Sequence, residues 1–147
     1  MAADFQFSTG TFLDKLAQRL REAPQAVHED FARRAEVAVA LAIDEQFATS
    51  TDPRGVAYLK PLAGNTPIIR SGALRRGWSV RCASVADGVS LSVSNSQPYA
   101  KYLQSGTSKM APRPLVPDSA VFATKWRSAL SLAWQESMRA WFGQPLR

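Results

Sequence analysis

Between Trp78 and Ser94 the chain alternates apolar and small polar residues with a period of two on both sides of an Asp87-Gly88 step. No other feature limits the possible folds so strongly. Trp78, Val80 and Cys82 alternate with Ser79, Arg81 and Ala83; Val89, Leu91 and Val93 then alternate with Ser90, Ser92 and Ser94. Successive side chains of a strand point to opposite faces, so each run builds one apolar and one polar face. Asp-Gly supplies a tight turn between them, which makes the whole stretch an expected antiparallel hairpin. Its serine-rich face predicts a sheet covered on one side only.

The pattern changes to a helical period on either side of this hairpin. Phe12, Leu13, Leu16 and Leu20 lie near helical spacing and predict a short amphipathic helix over 11–22. Pro24 suits the first turn of a second helix that runs to about Phe47. Its expected inner positions are Val27, Phe31, Ala35, Ala38, Ala42 and Phe47, and its alanines permit close packing. Asp118 is placed to cap a long helix to Phe142, with Gly143 at the position of a left-handed C-terminal cap. Phe122, Trp126, Leu130, Trp134, Met138 and Trp141 form its apolar stripe, which serves either the core or a subunit-packing face.

Proline and glycine mark the irregular segments. Residues 49–69 have no period, and a loop of that length in a compact domain usually has a function. Ser71 is placed to cap one short turn, GALRRG, ahead of the first strand. PYAKYLQ at 98–104 reads as a short helix or turn, and SGTSKMAPRPLVP at 105–117 has too many prolines for regular structure. The expected fold is α+β: a small antiparallel β-sheet flanked by N-terminal helices and a long C-terminal helix. It forms a single domain over 1–147, with helices at 11–48, a loop at 49–70, hairpin and loop at 71–117 and a final helix at 118–142.

Composition narrows the function classes. A chain 46% hydrophobic and 20% charged can bury a core, and its longest apolar runs are too short to span a membrane. The N-terminus shows no secretory signal pattern, so synthesis in the cytoplasm is expected. Cys82 is the only cysteine, which excludes an intrachain disulfide and a cysteine-based zinc cluster. The net charge of +6 is divided unevenly: residues 1–53 carry five Lys/Arg against nine Asp/Glu, whereas residues 54–113 carry nine against one. Such segregation suits a charged partner, either DNA or a neighbouring subunit, as well as a solvated basic surface.

No catalytic pattern emerges. His28, the single histidine, lies beside Glu29 and Asp30 in a helix, where a surface or capping role is expected. Cys82 falls on the apolar side of its strand and reads as a small buried hydrophobe. The glycines form no phosphate-binding motif, and the acids form no metal-ligand pattern, so neither cofactor nor metal is expected. Arg70, Arg75, Arg76 and Arg81, with Trp78 and Tyr99 for stacking, could meet DNA non-specifically, but no DNA-reading motif accompanies them.

Three segments in order carry a resemblance: IIRSGALRRGWSV at 68–80, SNSQPYAKYLQSGTSKM at 94–110 and APRPLVPDSA at 111–120. Together they resemble the tail-completion and virion-morphogenesis proteins of lambda-like and Mu-like tailed phages. In that family a strand end leads into a Tyr-Ala-x-Tyr/Phe-x-Glu-x-Gly-Thr segment, followed by an Arg-Pro-hydrophobic turn and a C-terminal helix. Tyr99, Ala100, Tyr102, Gly106, Thr107, Met110, Arg113 and Pro114 match, whereas Gln104 stands where the pattern has an acid.

The resemblance implies a non-enzymatic structural protein in the virion, at the neck that joins head to tail. It would assemble with itself, as a sixfold ring, and with neighbouring neck or tail proteins. Tail terminator, head–tail stopper and minor tail protein are its near alternatives, and a non-catalytic DNA-associated protein is the alternative of another class. No membrane or small-molecule substrate is expected. Rings use heterologous contacts, and the acidic N-terminal helices and basic middle offer one such pair. The expected interface residues are Arg75, Arg76, Tyr99, Tyr102, Gly106, Thr107, Lys109, Met110, Arg113 and Pro114. Gly106 permits a sharp turn, and Pro112 and Pro114 stiffen the loop that presents Lys109, Met110 and Arg113. The same loop can also serve as a plain connector from sheet to helix.

Overall fold

A computed structural model describes residues 3–5, 11–58, 72–86, 88–117 and 124–142. Along the chain these form β1 (Ala3–Phe5), α1 (Thr11–Glu22), α2 (Gln25–Thr49), α3 (Ala73–Arg76), β2 (Trp78–Val85), β3 (Gly88–Asn95), α4 (Ala100–Ser105) and α5 (Thr124–Phe142). The fold is α+β, with a three-stranded antiparallel sheet in the order β1-β3-β2. Pro24 precedes α2 at its N-cap, one position earlier than the sequence suggests. The proposed caps Ser71, Asp118 and Gly143 lie outside the described residues, as does Phe122.

The hairpin forms, with Val80 opposite Val93 and Cys82 opposite Leu91. Its turn is displaced by one residue: Val85 pairs with Gly88, so Gly88 begins the second strand rather than closing the turn. The third strand, β1, extends the sheet beyond β3, pairing Phe5 with Val93. Along β2, half-buried and exposed residues alternate throughout. Trp78, Val80 and Cys82 therefore turn towards α2, while Ser79, Arg81 and Ala83 face outward.

Helix α2 is the central element. Val27, Phe31, Ala35, Val39, Ala42, Ile43 and Phe47 on it are buried. They face the sheet on one side and α5 on the other. Phe47 meets Trp78 edge-on at 6.4 Å, and Phe31 meets Trp134 edge-on at 5.8 Å. Such pairs add about 0.5–1.5 kcal/mol to what burial of the rings alone contributes. Within the α5 stripe, Trp126, Leu130 and Trp134 belong to the core, whereas Trp141 is exposed. Along that part of the stripe the core alternative holds. His28 is buried at the corner between α1 and α2, where Nε2 donates to the Leu20 carbonyl and closes the last turn of α1.

Cys82 occupies the inner face of β2, and its backbone N–H donates to the Glu36 carboxylate at 2.9 Å. Burial, with that carboxylate beside it, pushes the thiol up to about 12. A thiol so placed holds its proton and is a poor nucleophile. Alkylation of native Cys82 at pH 8 is therefore expected to run at least about 100-fold slower than in urea-unfolded chain. Equal rates in the two states would contradict this placement.

Candidate functional site

The segment from Asn95 to Pro117 carries most of the expected interface residues, and its backbone is fixed from within. Asn95, fully buried, donates from Nδ2 to the Leu74 carbonyl at 2.8 Å and accepts from the Gln97 N–H at 2.9 Å. This one amide ties α3 to the turn that precedes α4. Arg113 then donates its N–H to the Leu103 carbonyl at 2.6 Å, folding the proline turn back on α4.

Gln104 completes the closure. Its Oε1 accepts from the N–H groups of Leu115 at 2.7 Å and Val116 at 3.1 Å, and its Nε2 donates to the Val116 carbonyl at 3.0 Å. An amide can accept and donate at once, and a carboxylate only accepts. That difference accounts for an amide rather than an acid at position 104: the side chain faces a carbonyl as well as two N–H groups.

Gln46 on α2 grips the same turn from the other side. It is buried, donates to the Leu115 carbonyl at 2.8 Å and accepts from the Trp126 indole N–H at 2.6 Å. The Tyr58 hydroxyl donates to the Pro114 carbonyl. Burial, with a contribution from Asp52, raises the Tyr58 pKa, so the hydroxyl keeps the proton it donates. Tyr58 is set by a tight turn at 51–58, in which the Asp52 carboxylate accepts from the backbone of Arg54 and Val56. The described part of the 49–70 loop is thus ordered, and residues 59–71, Arg70 among them, lie outside the described set.

Gly106 adopts φ 76°, and a β-carbon there would stand 2.9 Å from both the Met110 carbonyl oxygen and the Pro112 ring. The turn after α4 therefore requires glycine. Thr107 and Met110 then close a small loop through reciprocal backbone hydrogen bonds at 2.9 and 3.2 Å, with Lys109 at its exposed tip. Tyr99 and Tyr102 are 43% and 50% exposed, and the Lys101 ammonium lies over the Tyr102 ring at 5.0 Å. Met110, Arg113 and Pro114 are half-buried.

Arg75 and Arg76 sit apart from this surface, on α3. Arg75 makes a salt bridge with Asp44 of α2 at 2.8 Å, so part of the attraction expected between subunits is satisfied inside one. Trp78 is committed to the core side of the sheet, while Arg81 is exposed on its open face. Sequence reasoning missed Gln46, Tyr58 and Asn95. For Gln46 a signal was present: it stands three residues after Ile43 and beside Phe47, on the buried face of α2.

The arrangement offers a rigid presenting surface. Among the described residues there is no group of three or more His, Cys, Asp or Glu side chains that could hold a metal, and no helix is long and apolar enough to cross a membrane. No family model, curated protein or solved structure matches the chain.

The Gln104→Glu substitution is expected to destabilise the protein by about 1–3 kcal/mol, because it sets a carboxylate oxygen against the Val116 carbonyl. Urea denaturation measures this. An unchanged or higher midpoint would show that the donated hydrogen bond contributes nothing.

Proposed function

We propose that this protein is a structural component of a tailed-phage virion, a tail-completion or neck protein joining head to tail through the surface between Tyr99 and Arg113. One observation supports this most: the three segments that carry the resemblance are bonded to one another. Asn95 links the first to the second, and Leu103 and Gln104 link the second to the third. Their order along the chain is thus also a physical unit.

The outward face of that unit suits docking. Its backbone conformation is set internally, so little ordering entropy is lost when a partner arrives. Tyrosine gives large contact area with few rotatable bonds and is enriched at interfaces. Lys101 and Lys109, both exposed, add positive charge and favour an acidic partner surface. A ring needs a heterologous contact, and this surface supplies one half of it. With Arg75 engaged by Asp44, the tyrosines and these lysines carry the contact.

Deleting the gene from a phage or prophage that carries it should leave filled heads beside finished, unattached tails in electron micrographs of lysates. Normal infectious particles would overturn the reading. Tyr102→Ser combined with Lys109→Glu should reproduce the deletion phenotype while shifting stability by less than about 0.5 kcal/mol, since both side chains are exposed.

A further inference from the structure

Helices α2 and α5 bury one side of their antiparallel pair and leave the other open. Val37, Leu41 and Leu132 on that open side are 59%, 65% and 52% exposed. They line a groove of about 820 Å³ between the helices, with Ala38 and Ala129 within it. Three large apolar side chains in one groove form a patch of the kind that marks an interaction site.

The charges at the groove's ends indicate which partner fits. Arg33, Val37, Leu41 and Glu45 follow one another at intervals of four residues on α2 and all line the groove, forming a ridge that runs cation, apolar, apolar, anion. Helix α5 presents Lys125, Leu132 and Glu136 to the same groove and thus also carries a cation at one end and an anion at the other. The ion pairs Arg34–Glu136 at 3.6 Å and Lys125–Glu45 at 3.3 Å fix how the two helices align. Halfway between Arg33 and Glu45 lies Val39. Halfway between Lys125 and Glu136 lies the Leu130–Ser131 step, at the same level across the groove.

A two-fold axis through that level, perpendicular to the helices and parallel to the groove floor, brings α2 antiparallel to α2 of a second copy and α5 antiparallel to α5. Arg33 then meets the second copy's Glu45, and Lys125 meets its Glu136. Val37 and Leu41 close on Leu41 and Val37. Both helices satisfy one axis, and an isologous contact requires that kind of self-complementarity. Arg33 is available for this, because its side chain is 78% exposed and its in-chain partner Asp30 is shared with Arg34, which binds more closely at 2.8 Å. We propose that this face docks a second copy of the chain to form a two-fold dimer. The inference uses a surface separate from Tyr99–Arg113 and does not rest on the virion reading.

Sedimentation velocity of the full chain between about 1 and 100 µM should show a monomer–dimer equilibrium. Arg33→Glu should weaken association at least about tenfold, and Arg33→Glu with Glu45→Arg should recover it to within about threefold, because the exchange re-forms both cross-copy pairs. Leu41→Asp, exposed and so compatible with a native circular dichroism spectrum, should give monomer throughout. A wild-type monomer at every concentration would overturn the proposal and leave the face to a different protein or to none. So would a folded double exchange that fails to recover association, or an oligomer indifferent to Leu41→Asp.

Discussion

The structure depends on the buried amide of Gln46. This side chain joins three elements distant in sequence: α2, which carries it; the proline turn, through the Leu115 carbonyl; and α5, through the Trp126 indole. A buried amide with both ends satisfied adds only about 1 kcal/mol, but removing it leaves a buried carbonyl and a buried N–H without partners, at about 1–3 kcal/mol each. Its effect is therefore larger on specificity than on net stability. Hydrophobic burial brings α2 and α5 together, and Gln46 fixes which backbone atoms of the connecting turn lie between them.

Other hydrogen bonds extend the same arrangement outward. Gln104, Asn95 and Tyr58 each direct a polar side-chain group at the backbone of a neighbouring segment, and the segment from Tyr99 to Arg113 is held at both ends as a result. A helix of six residues, α4, would be marginal alone. Held in this way, it presents Tyr102, with Tyr99 at its N-cap, in a fixed orientation. The acidic and basic parts of the chain also meet within the molecule, at Asp44 and Arg75. Charge segregation read from sequence therefore describes both folding and surface: Arg75 is engaged within the molecule, whereas Arg81, Lys101 and Lys109 are exposed.

Elements with a sustained period were legible in the sequence. The hairpin strands and α2 emerged because alternation and helical spacing each repeat over many residues, and Gly106 emerged because a turn between short segments calls for a positive φ. Strand β1 did not, since three residues carry no period. The hairpin turn was misplaced by one residue because Asp-Gly composition favours a turn centre, whereas the ladder extends until Val85 meets Gly88. The glutamine contacts were hidden for another reason. All but one of their partners are backbone atoms, which carry no residue identity, and the two partners of Gln46, Leu115 and Trp126, lie 69 and 80 positions away. The groove between α2 and α5 was likewise illegible, as periodicity identifies the stripe a helix buries and is silent on isolated apolar residues outside it.

Amide hydrogen exchange at Leu115 and Val116 tests most directly whether side-chain amides hold the presenting segment. Both N–H groups bond to Gln104 Oε1 and neither lies in a helix or strand, so ordinary secondary structure gives them no protection. In the native protein both should exchange at least about 100-fold slower than in the unfolded chain, and Gln46→Leu, which leaves Gln104 in place, should lower that protection at least about tenfold. Exchange at the unfolded rate in the native protein, or full protection retained with Leu at position 46, would contradict this.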